Sequence, residues 1–143
     1  MKEFFLILFF SKTILLTPVP VNISGEMVIR PEKLLEAITP GASLEIDVSD
    51  FTGRMKMKEM GILEVKEILK EKIPEGSVRA TLYGSKGEKV VLNESGFSIT
   101  NDGAKLTLFA DSGIPTNMAF NKITITSSTE LRGVQVYWKN FKH

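Results

Sequence analysis

VRATLYGSKGEKVVLNESGFSITNDGAKLTLFA, residues 78–110, decides the fold class of this chain. Val78, Ala80 and Leu82 alternate with Arg79, Thr81 and Tyr83, and Leu106 and Leu108 alternate with Lys105 and Thr107. A period of two places successive side chains on opposite faces, which is the pattern of a half-buried antiparallel strand. Turn signals separate the runs. Gly84-Ser85-Lys86-Gly87 is expected to close one hairpin, and Asn101-Asp102-Gly103 another, because an Asp-Gly pair supplies the positive φ that a tight hairpin requires.

The rhythm continues towards the C-terminus. Strands are expected at Val78 to Tyr83, Lys89 to Asn93, Phe97 to Thr100, Lys105 to Ala110, Lys122 to Ser127 and Val134 to Asn140. In the last, Val134, Val136 and Trp138 share one face, and Gln135, Tyr137 and Lys139 the other. Trp138 is therefore read as core, with its indole N–H finding a partner, and Tyr137 as surface.

Towards the N-terminus the pattern changes once. Ile62, Val65, Leu69 and Ile73 recur at helical spacing until Pro74 and Gly76 break it, so one amphipathic helix is expected to cover an end or face of the sheet. Ahead of it, SLEIDVS (43–49) alternates cleanly, with Leu44, Ile46 and Val48 inward and Glu45 and Asp47 outward. Glu26 to Arg30 reads as a first strand, and Pro31 to Ile38 as a short helical turn with Leu34, Leu35 and Ile38 on one face. Together these elements describe a mainly β domain over residues 25–143: an antiparallel β-sandwich, jelly-roll-like, of about seven or eight strands.

Residues 1–24 have a different composition. Lys2 precedes the apolar run FFLILFF (4–10), and Ile14, Leu15 and Leu16 follow Lys12. A basic start before a short apolar stretch reads as a secretory signal, although Glu3, Lys12 and the lack of a small-x-small cleavage site depart from that pattern. As a helix, Phe4 to Leu16 would rise about 20 Å, short of a hydrocarbon core of about 30 Å. The expectation is an apolar targeting or anchor segment with a Pro-containing linker, placing the protein outside the cytoplasm, with membrane attachment through residues 4–16 as the anchored variant.

Composition narrows the chemistry. Eighteen basic and seventeen acidic residues are interleaved, so no field would gather nucleic acid. The chain has no cysteine, and its one histidine is His143, which argues against thiolate chemistry and imidazole-based triads. No cofactor is expected. Three constellations remain. Met55, Met57 and Met60 form an M-x-M-x-x-M array of soft sulfur ligands of the kind that select Cu(I), although methionine also fills irregular cores. Glu45, Asp47 and Asp50 are paired carboxylates of the type used in general acid–base work. Tyr83, Tyr137, Asp111 and Asn117 are the candidate ligand-binding residues, the tyrosines as aromatic surfaces for sugar and the other two in the long loop 111–120. Gly84 to Glu88 lacks the phosphate-loop pattern, and the acceptor patterns at Asn22 and Asn93 are no more than chance provides.

The reading that follows is an exported, non-enzymatic module with a binding or structural role towards a protein or carbohydrate. The alternatives are a small hydrolase using the Glu45 group, and assembly by β-strand addition to an open sheet edge.

Overall fold

A computed structural model describes residues 12–51, 61–100 and 103–140. In chain order the elements are β1 (Lys12–Leu15), β2 (Val21–Ile29), β3 (Leu35–Glu36), β4 (Ser43–Asp47), a 3-10 turn (Ser49–Phe51), helix α1 (Ile62–Lys72), β5 (Val78–Gly84), β6 (Lys89–Thr100), β7 (Gly103–Phe109) and β8 (Ala119–Asn140). All pairings are antiparallel, as the alternation requires.

The 22-residue strand β8 organises everything else. Its first part pairs with β5, Ala80 opposite Ile125, and its last part pairs with β4, Leu44 opposite Trp138. Because β4 pairs with β7, β7 with β6 and β6 with β5, the five strands close on themselves as a barrel. Two separate strands, Lys122 to Ser127 and Val134 to Asn140, were the sequence expectation, and with them a jelly-roll-like sandwich. The chain instead keeps pairing through the intervening residues and bends. From Val21 to Gly25, β2 advances four residues while its partner positions on β8 run seven, from Val134 to Ser127. The three extra residues form bulges, and an odd insertion exchanges the two faces of a strand. Inward residues accordingly change from Ile123 and Ile125 to Val134, Val136 and Trp138, all buried. Gly133, at φ +63°, lies within this bend.

The same bend brings the two ends of β8 together. The rings of Phe120 and Trp138 lie 6.4 Å apart at a tilt of 58° inside the fold. Asn140 accepts a hydrogen bond from the Ile38 N–H at 2.8 Å and donates through Nδ2 to the Glu36 carbonyl at 2.9 Å, fastening the β3 region to the far end of β8. Along its other edge β8 is lined by β1, β2 and β3 in turn. Residues 12–24, expected to belong to a targeting segment and linker, thus supply β1 and the start of β2, and Ile23 is fully buried.

Two hairpins follow the turn signals. At the first, the Gly84 N–H bonds the Glu88 carbonyl at 2.8 Å and Gly87 takes φ +91°. At the second, Thr100 pairs with Gly103, the turn residues 101 and 102 lying outside the described residues. The runs expected as strands Lys89 to Asn93 and Phe97 to Thr100 are one strand, β6, with a register shift between Glu94 and Gly96. The helix forms where expected and buries Val65 and Leu69 against the barrel, while Ile62 is exposed. The helical turn expected at Pro31 to Ile38 does not form. Leu35 and Ala37 are buried and Leu34 and Ile38 exposed, a period of two, because pairing with Phe120 and Ala119 in β8 draws the segment out as β3.

Trp138 is core, as read, but its indole N–H has no hydrogen-bond partner among the described residues. It points into an apolar interior shared with Leu44, Leu106 and Phe120.

Candidate functional site

Strand β4 is central, flanked by β7 and β8, and its inward residues Leu44 and Ile46 are fully buried. Glu45 faces outward by alternation, yet only 6 % of it is exposed. The cause is its place in the ladder. Thr107 stands opposite on one side and Tyr137 on the other, so neighbouring side chains cover the carboxylate. Lys139 Nζ lies 3.6 Å from Glu45 Oε2. Ser43, two residues back and on the same face, is fully buried, and its hydroxyl has no hydrogen-bond partner among the described residues.

These two residues line a shallow groove of about 290 Å³ on the barrel wall, walled by Phe97 and Phe109 and edged by the hydroxyls of Ser95, Ser98 and Thr107. The groove lies over the β6 register shift, where Gly96 stands opposite Thr107 and offers no side chain. The Glu45 carboxylate, largely covered, and the side chains of Ser95, Ser98 and Thr107 make a hydrogen-bonding surface bordered by two aromatic rings, with the Ser43 hydroxyl buried beneath it. Such a set suits a ligand that presents several hydroxyl groups beside C–H surface.

The other carboxylates of the expected triplet go elsewhere. Asp47 Oδ1 accepts from both the N–H and the hydroxyl of Ser49, whose Oγ in turn accepts from the Ala104 N–H at 3.0 Å, tying the 3-10 turn to β7. Asp50 lines a separate groove of about 510 Å³ with Lys72, Thr129 and Arg132. That groove is larger but self-neutralised, since Arg132 Nε bonds Glu130 Oε1 at 2.5 Å. Glu45 and Asp50 therefore do not meet in one cleft. Among the described residues no three His, Asp or Glu side chains gather in a way that would hold a metal ion.

The expected binding residues are dispersed. Tyr83 lies between Lys122 and Lys89, whose Nζ atoms stand 4.3 Å and 5.6 Å from its ring centre, following their opposed positions in β8 and β6. Tyr137 is half-buried, and Lys105 Nζ stands 5.5 Å from its ring. Lysines thus occupy both aromatic surfaces as cation–π partners. Asp111 lines a third groove, about 440 Å³, with Lys89, Asn93 and Pro115, whereas Asn117 is exposed outside its lining. Met55, Met57 and Met60 lie outside the described residues. Of the groove residues, only Glu45 was singled out by sequence. Its burial depends on Thr107 and Tyr137, which are distant in the chain and give no local signal.

No family model matches this sequence, and no curated protein matches it either.

Proposed function

We propose that this chain is an exported, non-enzymatic β module that binds a polyhydroxylated ligand, of the size of one sugar ring, in the Glu45 groove. The observation that carries the reading is the pairing of a covered carboxylate with an orphaned Ser43 hydroxyl on an otherwise ordinary barrel wall. A buried hydroxyl left without a partner costs about 1–3 kcal/mol, and a ligand that displaces the cover over Ser43 and bonds its hydroxyl recovers that cost. Export is supported by the basic start at Lys2 and the apolar run 4–10 that precede β1. A hydrolytic role for Glu45 has less support, because its ion-pair partner is Lys139 and the lining of the groove holds no second carboxylate among the described residues.

The test is saturation-transfer NMR of the full chain against a panel of pyranoses, repeated with Glu45→Gln. Saturable binding that weakens at least about tenfold in the variant, equivalent to about 1.4 kcal/mol, is expected. Absence of binding to any sugar, or binding indifferent to Glu45→Gln, would overturn the proposal.

A second reading, assembly by strand addition, draws on the outer edge of residues 12–36. Among the described residues no strand pairs there. A concentration-dependent sedimentation coefficient would favour it.

A further inference from the structure

Of the eight exposed large hydrophobic side chains among the described residues, five fall between residues 15 and 38: Leu15, Val19, Val28, Leu34 and Ile38. Leu15 and Leu34 line one hollow, and Val19 follows Pro18 of the same lining, so these three are not scattered singly, as surface aliphatics usually are. The bend of β8 brings the end of β1 near the segment that leads into β3, and between them lies a hollow of about 480 Å³. Leu15, Leu16 and Pro18 line it from one side, and Pro31 and Leu34 from the other. Val19 (63 % exposed) extends the apolar surface from the first loop, and Leu34 (55 %) from the second. Arg30 and Lys33 are exposed beside it, with Glu32 between them.

An apolar surface bordered by basic side chains is what an anionic bilayer receives at its interface: aliphatic groups at the acyl boundary and cations at the headgroups. The position of this surface in the chain identifies its occupant. The seven apolar residues 4–10 end two residues before Lys12, the first residue of β1. Leu15 is five residues beyond Phe10, at most about 18 Å of extended chain. A bilayer that holds residues 4–10 therefore lies within reach of Leu15, Val19 and the facing loop, and not of sites tethered by longer stretches of chain. The segment 16–20 bends between β1 and β2 and belongs to neither strand, and its two prolines have no backbone N–H to offer a neighbouring strand.

We propose that the loops 15–20 and 30–34 form a lipid-facing surface that seats the barrel on an anionic membrane beside the point where residues 4–10 attach. The proposal rests on the reading that the apolar N-terminal segment stays with the protein and attaches it to a membrane. It goes beyond that reading by giving the barrel a fixed orientation. The Glu45 groove is lined from β4, β6 and β7, none of which contributes to the lipid-facing hollow, so the two surfaces are built from separate parts of the fold.

The test uses the full chain, which has no cysteine and so accepts a single reporter without a background label. Val19→Cys and Leu34→Cys, and as controls Leu63→Cys on α1 and Val91→Cys on β6, are labelled with an environment-sensitive fluorophore. Each is mixed with phosphatidylcholine vesicles with and without phosphatidylserine. The expected result is a blue shift, with quenching by lipid-borne nitroxide, for the labels at 19 and 34 and not for those at 63 and 91. Arg30→Gln or Lys33→Gln is expected to lower partitioning into the phosphatidylserine vesicles about fivefold each. Three results would overturn the proposal. If the chain sediments with vesicles while the labels at 19 and 34 stay water-like, attachment stands and the docked face is wrong. If the chain does not associate with vesicles at all, attachment falls too. If those labels shift with protein concentration in the absence of lipid, the occupant is a second copy of the chain.

Discussion

Ile23→Ala probes whether the first strands belong to the folded unit. Ile23 lies in a stretch whose sequence reads as a linker, yet it has no solvent exposure and packs into the shared core between two bulges of β8. Truncating a fully buried isoleucine removes its transfer free energy and leaves a cavity, together about 2–5 kcal/mol. Being fully enclosed, the site is expected to fall near about 3 kcal/mol, or about 10 °C in Tm for a chain of this length. Urea unfolding followed by Trp138 fluorescence is the assay, since the single tryptophan sits in β8 opposite Ile14 of β1 and reports on the same region. Val19→Ala is the control: Val19 is exposed, and the change is expected to stay within about 0.5 kcal/mol. If Ile23→Ala were as mild as the control, the start of β2 would be a dispensable leader and the pairing of residues 12–29 with β8 would not be part of the stable fold.

Other perturbations separate the remaining claims. Gly113→Ala is expected to destabilise by about 2 kcal/mol, because a Cβ at φ +86° would stand 2.8 Å from the Pro40 Cβ; Gly25→Ala, at φ +76° with nothing within 4 Å, carries only the backbone strain of about 1 kcal/mol. The difference between their urea midpoints isolates the contact that holds loop 111–118 to the β3–β4 turn. Asn140→Ala is expected to cost about 2–3 kcal/mol by leaving the Ile38 N–H and Glu36 carbonyl without their partner, measurable in the same assay. Ser43→Ala removes a buried hydroxyl with no bond to lose, so stability is expected to hold or rise by up to about 1 kcal/mol, while sugar binding measured by NMR falls.

Most strands were legible because alternation and turn chemistry are local. The runs at Val78 to Tyr83 and Ser43 to Ser49, the hairpin at Gly84 to Gly87 and the helix around Val65 and Leu69 each follow from a few adjacent residues. What was not legible depends on pairing between distant segments. Ser128 to Gly133 reads as a break between two strands, and only the bulged pairing with β2 makes it a bend within one. Pro31 to Ile38 carries a helix-like start, and a partner more than eighty positions along the chain draws it into a strand. The site shows the same division. Glu45 was visible as an outward carboxylate, but its covering by Thr107 and Tyr137 and its approach to Lys139 come from the barrel wall. Tyr83 and Tyr137 were visible as aromatics, but the lysines set over them by cross-strand register were not.

Both proposed surfaces exist because one continuous strand closes the sheet, so the most direct measurement is a nuclear Overhauser map of backbone contacts made by β8. Closure requires that residues 123–126 contact β5 and β2, that residues 135–139 contact β4 and β1, and that the Phe120 and Trp138 rings contact each other. All three sets of contacts are expected in a single sample. Contacts from the first part to β5 without the Phe120–Trp138 pair, or an unpaired stretch severing the two parts, would contradict the barrel and remove the basis for both surfaces.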